Sequence, residues 1–157
     1  MDKFWPGPLT IILEKKDIIP NVTSANLNTI GIRMPNCEIA LKLIEISKRP
    51  IAAPSANISG CPSPTSANHV INDLDGKIDA VIMGDDSEVG VESTVVSLAG
   101  ERPVLLRPGA VTLEQLREVL PDIVVDSAVL SEAKGDKVAS PGMKYKHYSP
   151  KTTVYLV

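Results

Sequence analysis

Ile51-Ala52-Ala53-Pro54-Ser55-Ala56-Asn57-Ile58-Ser59-Gly60-Cys61-Pro62-Ser63-Pro64-Thr65 is the stretch in which this chain concentrates its most unusual chemistry. Ile51 to Ala53 is an apolar run that predicts a short buried strand, and Pro54 ends it because proline has no N–H to give to a ladder. Ser55, Ala56, Asn57, Ser59, Gly60 and Ser63 are small or hydroxylated, so backbone N–H groups and side-chain donors can approach a ligand closely. Thr65 or Ser66 then caps a helix predicted from about Ala67, whose N-terminus adds partial positive charge to the same place. Phosphate suits such a cradle. An ordinary strand-to-helix loop uses the same residue types, so the flanking chain has to decide between the two.

Upstream, Glu38 to Lys48 has apolar residues at near-helical spacing and is closed by Pro50. Before it, Thr29 to Pro35 predicts a short strand with Arg33 at its exit, and Asp17 to Asn28 a polar loop. Leu9 to Leu13 is a β-favouring run preceded by Met1-Asp2-Lys3-Phe4-Trp5-Pro6-Gly7-Pro8, which reads like the inside of a protein. A strand at Leu9 is expected to need partners from further upstream, and without them to show an unpaired edge or a wet apolar face. Downstream, the helix ends at Asp75-Gly76, and Ala80 to Met83 predicts another short buried run. Glu92 to Leu98 and Pro103 to Arg107 flank Gly100-Glu101-Arg102 as an antiparallel hairpin. Thr112-Leu113-Glu114-Gln115 is a capping-box pattern that opens a helix through Leu120, and Ile123 to Val125 is a last short strand. Strands alternating with helices, plus one hairpin, predict an α/β (α+β) class with a mixed sheet. Residues 1–126 would form this domain, residues 127–150 a linker or lid, and residues 151–157 the first strand of a further domain.

Composition narrows the function. With 43% apolar and 22% charged residues over 157 positions, the chain is that of a globular domain whose core is aliphatic, given one Phe, one Trp and three Tyr. A net charge near −3 gives no global basic field for nucleic acid. Cys37 and Cys61 lack CxxC spacing and a neighbouring His/Cys cluster, so reduced thiols and no metal site are expected. Without a signal-like N-terminus or an apolar run near the roughly 20 residues that span a bilayer, a cytoplasmic protein with no membrane partner is expected.

Six ordered motifs carry a resemblance: Lys3-Phe4-Trp5-Pro6-Gly7-Pro8-Leu9-Thr10, Gly31-Ile32-Arg33-Met34-Pro35, Ala53-Pro54-Ser55-Ala56-Asn57, Glu92-Ser93-Thr94-Val95-Val96, Leu106-Arg107-Pro108-Gly109, and residues 140–150, from Ser140-Pro141-Gly142 to Ser149-Pro150. Together they resemble the threonylcarbamoyl-AMP synthases of the TsaC/YrdC type, in the longer two-domain form. The resemblance implies a YrdC-like twisted mixed sheet with flanking helices around an open cleft. It also implies that L-threonine, bicarbonate and ATP are joined into threonylcarbamoyl-adenylate with release of pyrophosphate, for the threonylcarbamoyladenosine (t6A37) modification of tRNA. ATP contacts would fall to Thr29, Ser55, Asn57, Ser63, Arg107, Tyr145 and His147, and threonine contacts to Arg33, Ala53 and Ser93. Mg²⁺ would arrive with ATP, and tRNA or other proteins of the t6A pathway are implied partners.

The chemistry of these residue types agrees with that division, since a guanidinium at Arg33 can hold a carboxylate and hydroxyls at Ser55 and Ser63 suit phosphates. Each residue also has a plain structural role: Arg33 and Arg107 as ion-pair partners, Glu92 and Ser93 as turn residues. No catalytic nucleophile or base is assigned, because GxSxG is absent and nothing brings His69 or His147 to Ser55. Adenylation needs none if a carbamate oxygen attacks the α-phosphorus directly. Two other classes remain open: a double-stranded RNA or tRNA-binding module using Lys134, Lys137, Lys144, Lys146 and Lys151, and a carbamoyl-transfer domain of the hydrogenase-maturation kind. In the family pattern, sequence before the Phe-Trp-Pro-Gly-Pro motif supplies further strands and phosphate contacts, so the chain alone is expected to be incomplete and inactive.

Overall fold

The computed structural model describes residues 1–130. Five strands form one mixed sheet in the order β2-β1-β3-β4-β5: β1 Leu9–Glu14, β2 Thr29–Arg33, β3 Thr94–Ser97, β4 Val104–Arg107 and β5 Val124–Val125. β1 pairs antiparallel with β2 and parallel with β3, β3 pairs antiparallel with β4, and β4 pairs parallel with β5. Four helices accompany them: α1 Glu38–Ser47, α2 Ala67–Leu74, α3 Leu113–Arg117 and α4 Ser127–Leu130.

The alternation of side chains along a strand divides β1 between two apolar clusters. Leu9 and Ile11 join Val96, Leu105, Val111, Leu116 and Ile123 in the larger one, closed by Phe4, Trp5, Leu113 and Leu120. Ile12 joins Val95 and Leu106 in the smaller. Each fully buried aliphatic side chain contributes about 1.5–3 kcal/mol, so the larger cluster is the main source of cohesion. The aromatic N-terminal motif is fixed as well as packed: Trp5 Nε1 donates to the Leu9 carbonyl at 2.7 Å, and the Gly7 N–H to the Met34 carbonyl at 2.9 Å.

Helix α3 forms as its capping box predicts. The Thr112 hydroxyl accepts from the Gln115 N–H at 3.3 Å, and the Gln115 side chain accepts from the Thr112 N–H at 2.9 Å. That start turns Leu116 inward, to 1% exposure. The Glu114 carboxyl is held below the usual range by its backbone hydrogen bond and then by the Thr112 hydroxyl. Its contribution is therefore present above ordinary carboxylate pKa values and lost as pH falls through the lowered one.

Four expectations need correction. Ile51 to Ala53 is exposed and belongs to no strand, and Ala80 to Met83 is likewise irregular, with Ile82 and Met83 more than 60% exposed. A short apolar run does not make a strand without a neighbour to pair with. The Leu9 strand is not an open edge, because β2 and β3 occupy both its sides. Ser66 is the α2 N-cap but its side chain makes no cap hydrogen bond; the His69 ring accepts from the Thr65 N–H instead. Of the segment 127–150, the described residues Ser127–Leu130 form helix α4. The rest of that linker, the lid reading of residues 140–150 and the strand at residues 151–157 lie outside the described residues.

Thr94 is fully buried, and its hydroxyl donates to the Val111 carbonyl at 2.8 Å while accepting from the Val111 N–H at 3.1 Å. Thr94→Val keeps the shape but strands both backbone groups, so we expect a loss of about 2 kcal/mol in urea denaturation, against a negligible change if the hydroxyl is only filler.

Candidate functional site

The β3–β4 hairpin aligns Val95 with Arg107. That register brings the Arg107 guanidinium back onto the residues just before β3. Nε and Nη2 both donate to the Ser93 carbonyl, at 3.0 and 2.9 Å, Nη2 reaches Ser93 Oγ at 3.1 Å, and Nη1 donates to Glu92 Oε2 at 2.7 Å. The ion pair is four-fifths buried, with side-chain exposures of 18% and 23%. A planar five-donor fork can serve a carbonyl, a hydroxyl and a carboxylate together, which a lysine ammonium cannot.

Two more hydroxyls join this hub. Thr10 Oγ1 lies 2.8 Å from Ser93 Oγ, and Ser63 Oγ lies 3.4 Å from Glu92 Oε1. Thr10 is also the register partner of Arg33 across β1 and β2. Arg33, Thr10, Val95 and Arg107 therefore form one row across four strands, with an exposed cation at β2 and a partly buried one at β4.

Ser55 and Asn57 lie in an open cleft of about 860 Å³ between the start of α2 and the irregular segment 78–87, lined also by Pro64, Val70, Leu74, Ile78 and Val81. The Asn57 amide donates to the Ile58 and Cys61 carbonyls, closing the loop on itself, while its Oδ1 is buried with no partner. Ser55 and Asn57 line the cleft together with Pro64, and Ser63, the residue before Pro64, reaches the Glu92 hub. Ala53 is exposed on the segment leading into the cleft. Thr29 begins β2 and Arg33 ends it, roughly 14 Å apart at about 3.4 Å per residue. Tyr145 and His147 lie outside the described residues.

The sequence reading missed Thr10 and the part played by Glu92. The Ser63–Glu92 contact spans 29 positions and carries no sequence signature. The Arg107–Glu92 contact had one, since a hairpin joining residues 92–98 to 103–107 must fold residue 107 back beside residue 93.

Comparison with known proteins gives these residues their context. A family model described as telomere recombination, Sua5/YciO/YrdC, matches residues 1–109, and one described as the threonylcarbamoyl-AMP synthase C-terminal domain matches residues 111–157. The chain belongs to the Sua5/YciO/YrdC family. Within that family it is 53% identical over 155 residues to a threonylcarbamoyl-AMP synthase of Pyrococcus abyssi, covering 99% of this chain and 45% of the relative. It is 52% identical over 151 residues to the Bacillus subtilis synthase, covering 96% of this chain and 43% of the relative. The chain thus spans less than half the length of these relatives. Its fold is that of the family: a crystal structure of P. abyssi Sua5 complexed with L-threonine superposes with a TM-score of 0.90 at 54% identity, over 95% of this chain and 44% of that one. Escherichia coli YciO superposes at 0.59 with 27% identity, over 67% of this chain and 52% of that one. The expected α/β class, with its mixed sheet and flanking helices, is borne out.

Arg107→Lys keeps the charge but cannot reproduce the fork. We expect it to cost about 1–2 kcal/mol in urea denaturation, because Ser93 and Glu92 lose donors in a partly buried setting; an unchanged midpoint would show the fork to be ornamental.

Proposed function

We propose that the chain carries part of the active site of an L-threonylcarbamoyladenylate synthase, a nucleotidyltransferase that joins L-threonine, bicarbonate and ATP and releases pyrophosphate. The product would supply the threonylcarbamoyl group of t6A37 in tRNA. One observation carries this reading: Arg107, on the nucleotide side, is hydrogen-bonded directly to Ser93, on the threonine side. A reaction that joins two substrates needs their reacting groups within bonding reach, and a shared hub of this kind brings the two half-sites together. The names of the relatives and the threonine complex of one of them support the same assignment.

In this reading Arg33, the exposed cation at the end of β2, holds the threonine carboxylate, with the Ala53 carbonyl and Ser93 hydroxyl receiving its other polar groups. Thr29, Ser55, Asn57, Ser63 and Arg107 face the nucleotide, together with Tyr145 and His147. The threonine amine and bicarbonate form a carbamate with loss of water; a carbamate oxygen attacks the α-phosphorus, its bond forms as the bond to pyrophosphate breaks, and no covalent enzyme intermediate is required. Fixed donors offset the charge that builds up on the phosphorus oxygens. Mg²⁺ would arrive on the triphosphate: the described residues hold no group of three His, Cys, Asp or Glu side chains, and Glu92 is already engaged by Arg107. Among the described residues no helix is long and apolar enough to cross a membrane.

Arg33→Ala should weaken threonine binding by about 1.5–3 kcal/mol, one charge-assisted pair to a carboxylate, while leaving ATP affinity within about twofold. Calorimetric titration with each ligand decides it. Unchanged threonine affinity would remove Arg33 from the site. Pyrophosphate release that depends on both threonine and bicarbonate is the corresponding test of the reaction.

A further inference from the structure

Glu92 receives no ligand in the reading above, yet both of its carboxylate oxygens are engaged, Oε2 by Arg107 at 2.7 Å and Oε1 by Ser63 at 3.4 Å. Its backbone is equally confined. A Cβ at Gly109 would stand 2.5 Å from the Glu92 carbonyl oxygen, 2.6 Å from Thr94 N and 2.8 Å from Thr94 Oγ1, so the residue-109 loop lies directly against the chain that carries Glu92. The same loop is pinned by the Thr94 hydroxyl at Val111. A carboxylate so anchored is an unfavourable neighbour for a polyanion, because like charges repel more strongly where water is partly excluded. Charge attraction to a nucleotide therefore does not account for its presence. Its geometry does: one side chain sets the guanidinium of Arg107 and the hydroxyl of Ser63, and Arg107 in turn holds both oxygens of Ser93.

We propose that Glu92 is the positioning residue of this site, and that through Arg107 it makes amino-acid and nucleotide binding cooperative. The inference rests on the substrate reading given above. The Ser93 hydroxyl, met by Arg107 Nη2 at 3.1 Å and Thr10 Oγ1 at 2.8 Å, keeps one hydrogen-bonding position for an amino acid, and a ligand there holds the Ser93–Arg107 pair in place. Glu92 keeps that guanidinium from swinging away when a phosphate approaches it. Binding of either ligand thereby prepares the other's contact, and the effect is reciprocal by thermodynamic necessity.

The test is calorimetric titration of the chain with MgATP, with and without saturating L-threonine, for the wild type, Glu92→Gln and Glu92→Asp, with melting curves as a check on folding. Wild type should bind ATP about fivefold or more tightly when threonine is present. Glu92→Gln, matched in shape but uncharged, should reduce that gain to below about twofold while its affinity for threonine alone stays within about threefold. Glu92→Asp should recover part of the gain, and it decides alone if the Gln variant does not fold. An undiminished gain in the folded variants, no gain in wild type, or a parallel loss of both affinities tracking a lowered melting temperature would overturn the positioning role and leave the substrate reading standing. Wild type that binds neither ligand even when supplied with the upstream segment that the family pattern adds would overturn that reading, and this inference with it.

Discussion

The fork that Arg107 closes on Ser93 depends on one backbone constraint, the register of the β3–β4 hairpin. With Val95 opposite Arg107, the guanidinium is returned to the two residues that precede β3. Slipping the pairing by one residue would turn Arg107 to the other face of the sheet and leave Glu92 without its partner. That register is held on both sides. The Thr94 N–H donates to the Pro8 carbonyl at 3.0 Å, tying the start of β3 to the aromatic N-terminal motif, and the Thr94 hydroxyl ties it to Val111. Gly109 is needed where the loop after β4 presses on the same backbone.

Packing and chemistry are divided between different parts of the chain. The larger apolar cluster, Leu116 and Val96 within it, anchors β1, β3, β4 and α3. The groups proposed to meet ligands sit at the ends of β2 and β4, just before β3, or on the irregular segments between elements. Helices α1 and α2 bury no residue fully, and Ile46 of α1 and Ile82 and Met83 of the segment after α2 remain largely exposed. Low burial is the physical basis for ready local opening, a common property of segments that close around ligands.

What could be read from the sequence follows the range of the forces involved. Local signals were legible: the Thr112–Gln115 capping box, the glycine at residue 76 that takes a φ of +71° just beyond α2, and the helical spacing in Glu38 to Lys48. The paired runs around Gly100 gave the hairpin. Ile51 to Ala53 and Ala80 to Met83 were read as strands because their composition is strand-like, but strand formation depends on a pairing partner and the pattern alone does not name one. Arg107 was identifiable by residue type and motif, and the structure places it at the centre of the Glu92–Ser93 hub. That Ser63 reaches Glu92 was not identifiable, since a contact across 29 positions is decided by the path of the whole intervening chain. Thr10 was hidden for the same reason: its hydroxyl meets Ser93 only because β1 and β3 run parallel side by side.

The central claim is that Arg107 and Glu92 act as one unit. A double-mutant cycle on folding stability tests it most directly, comparing wild type, Glu92→Gln, Arg107→Gln and the double variant by urea denaturation. For a mostly buried, directly bonded pair the account predicts an interaction energy of at least about 1 kcal/mol. Additivity to within about 0.3–0.5 kcal/mol, as found for distant independent sites, would contradict it.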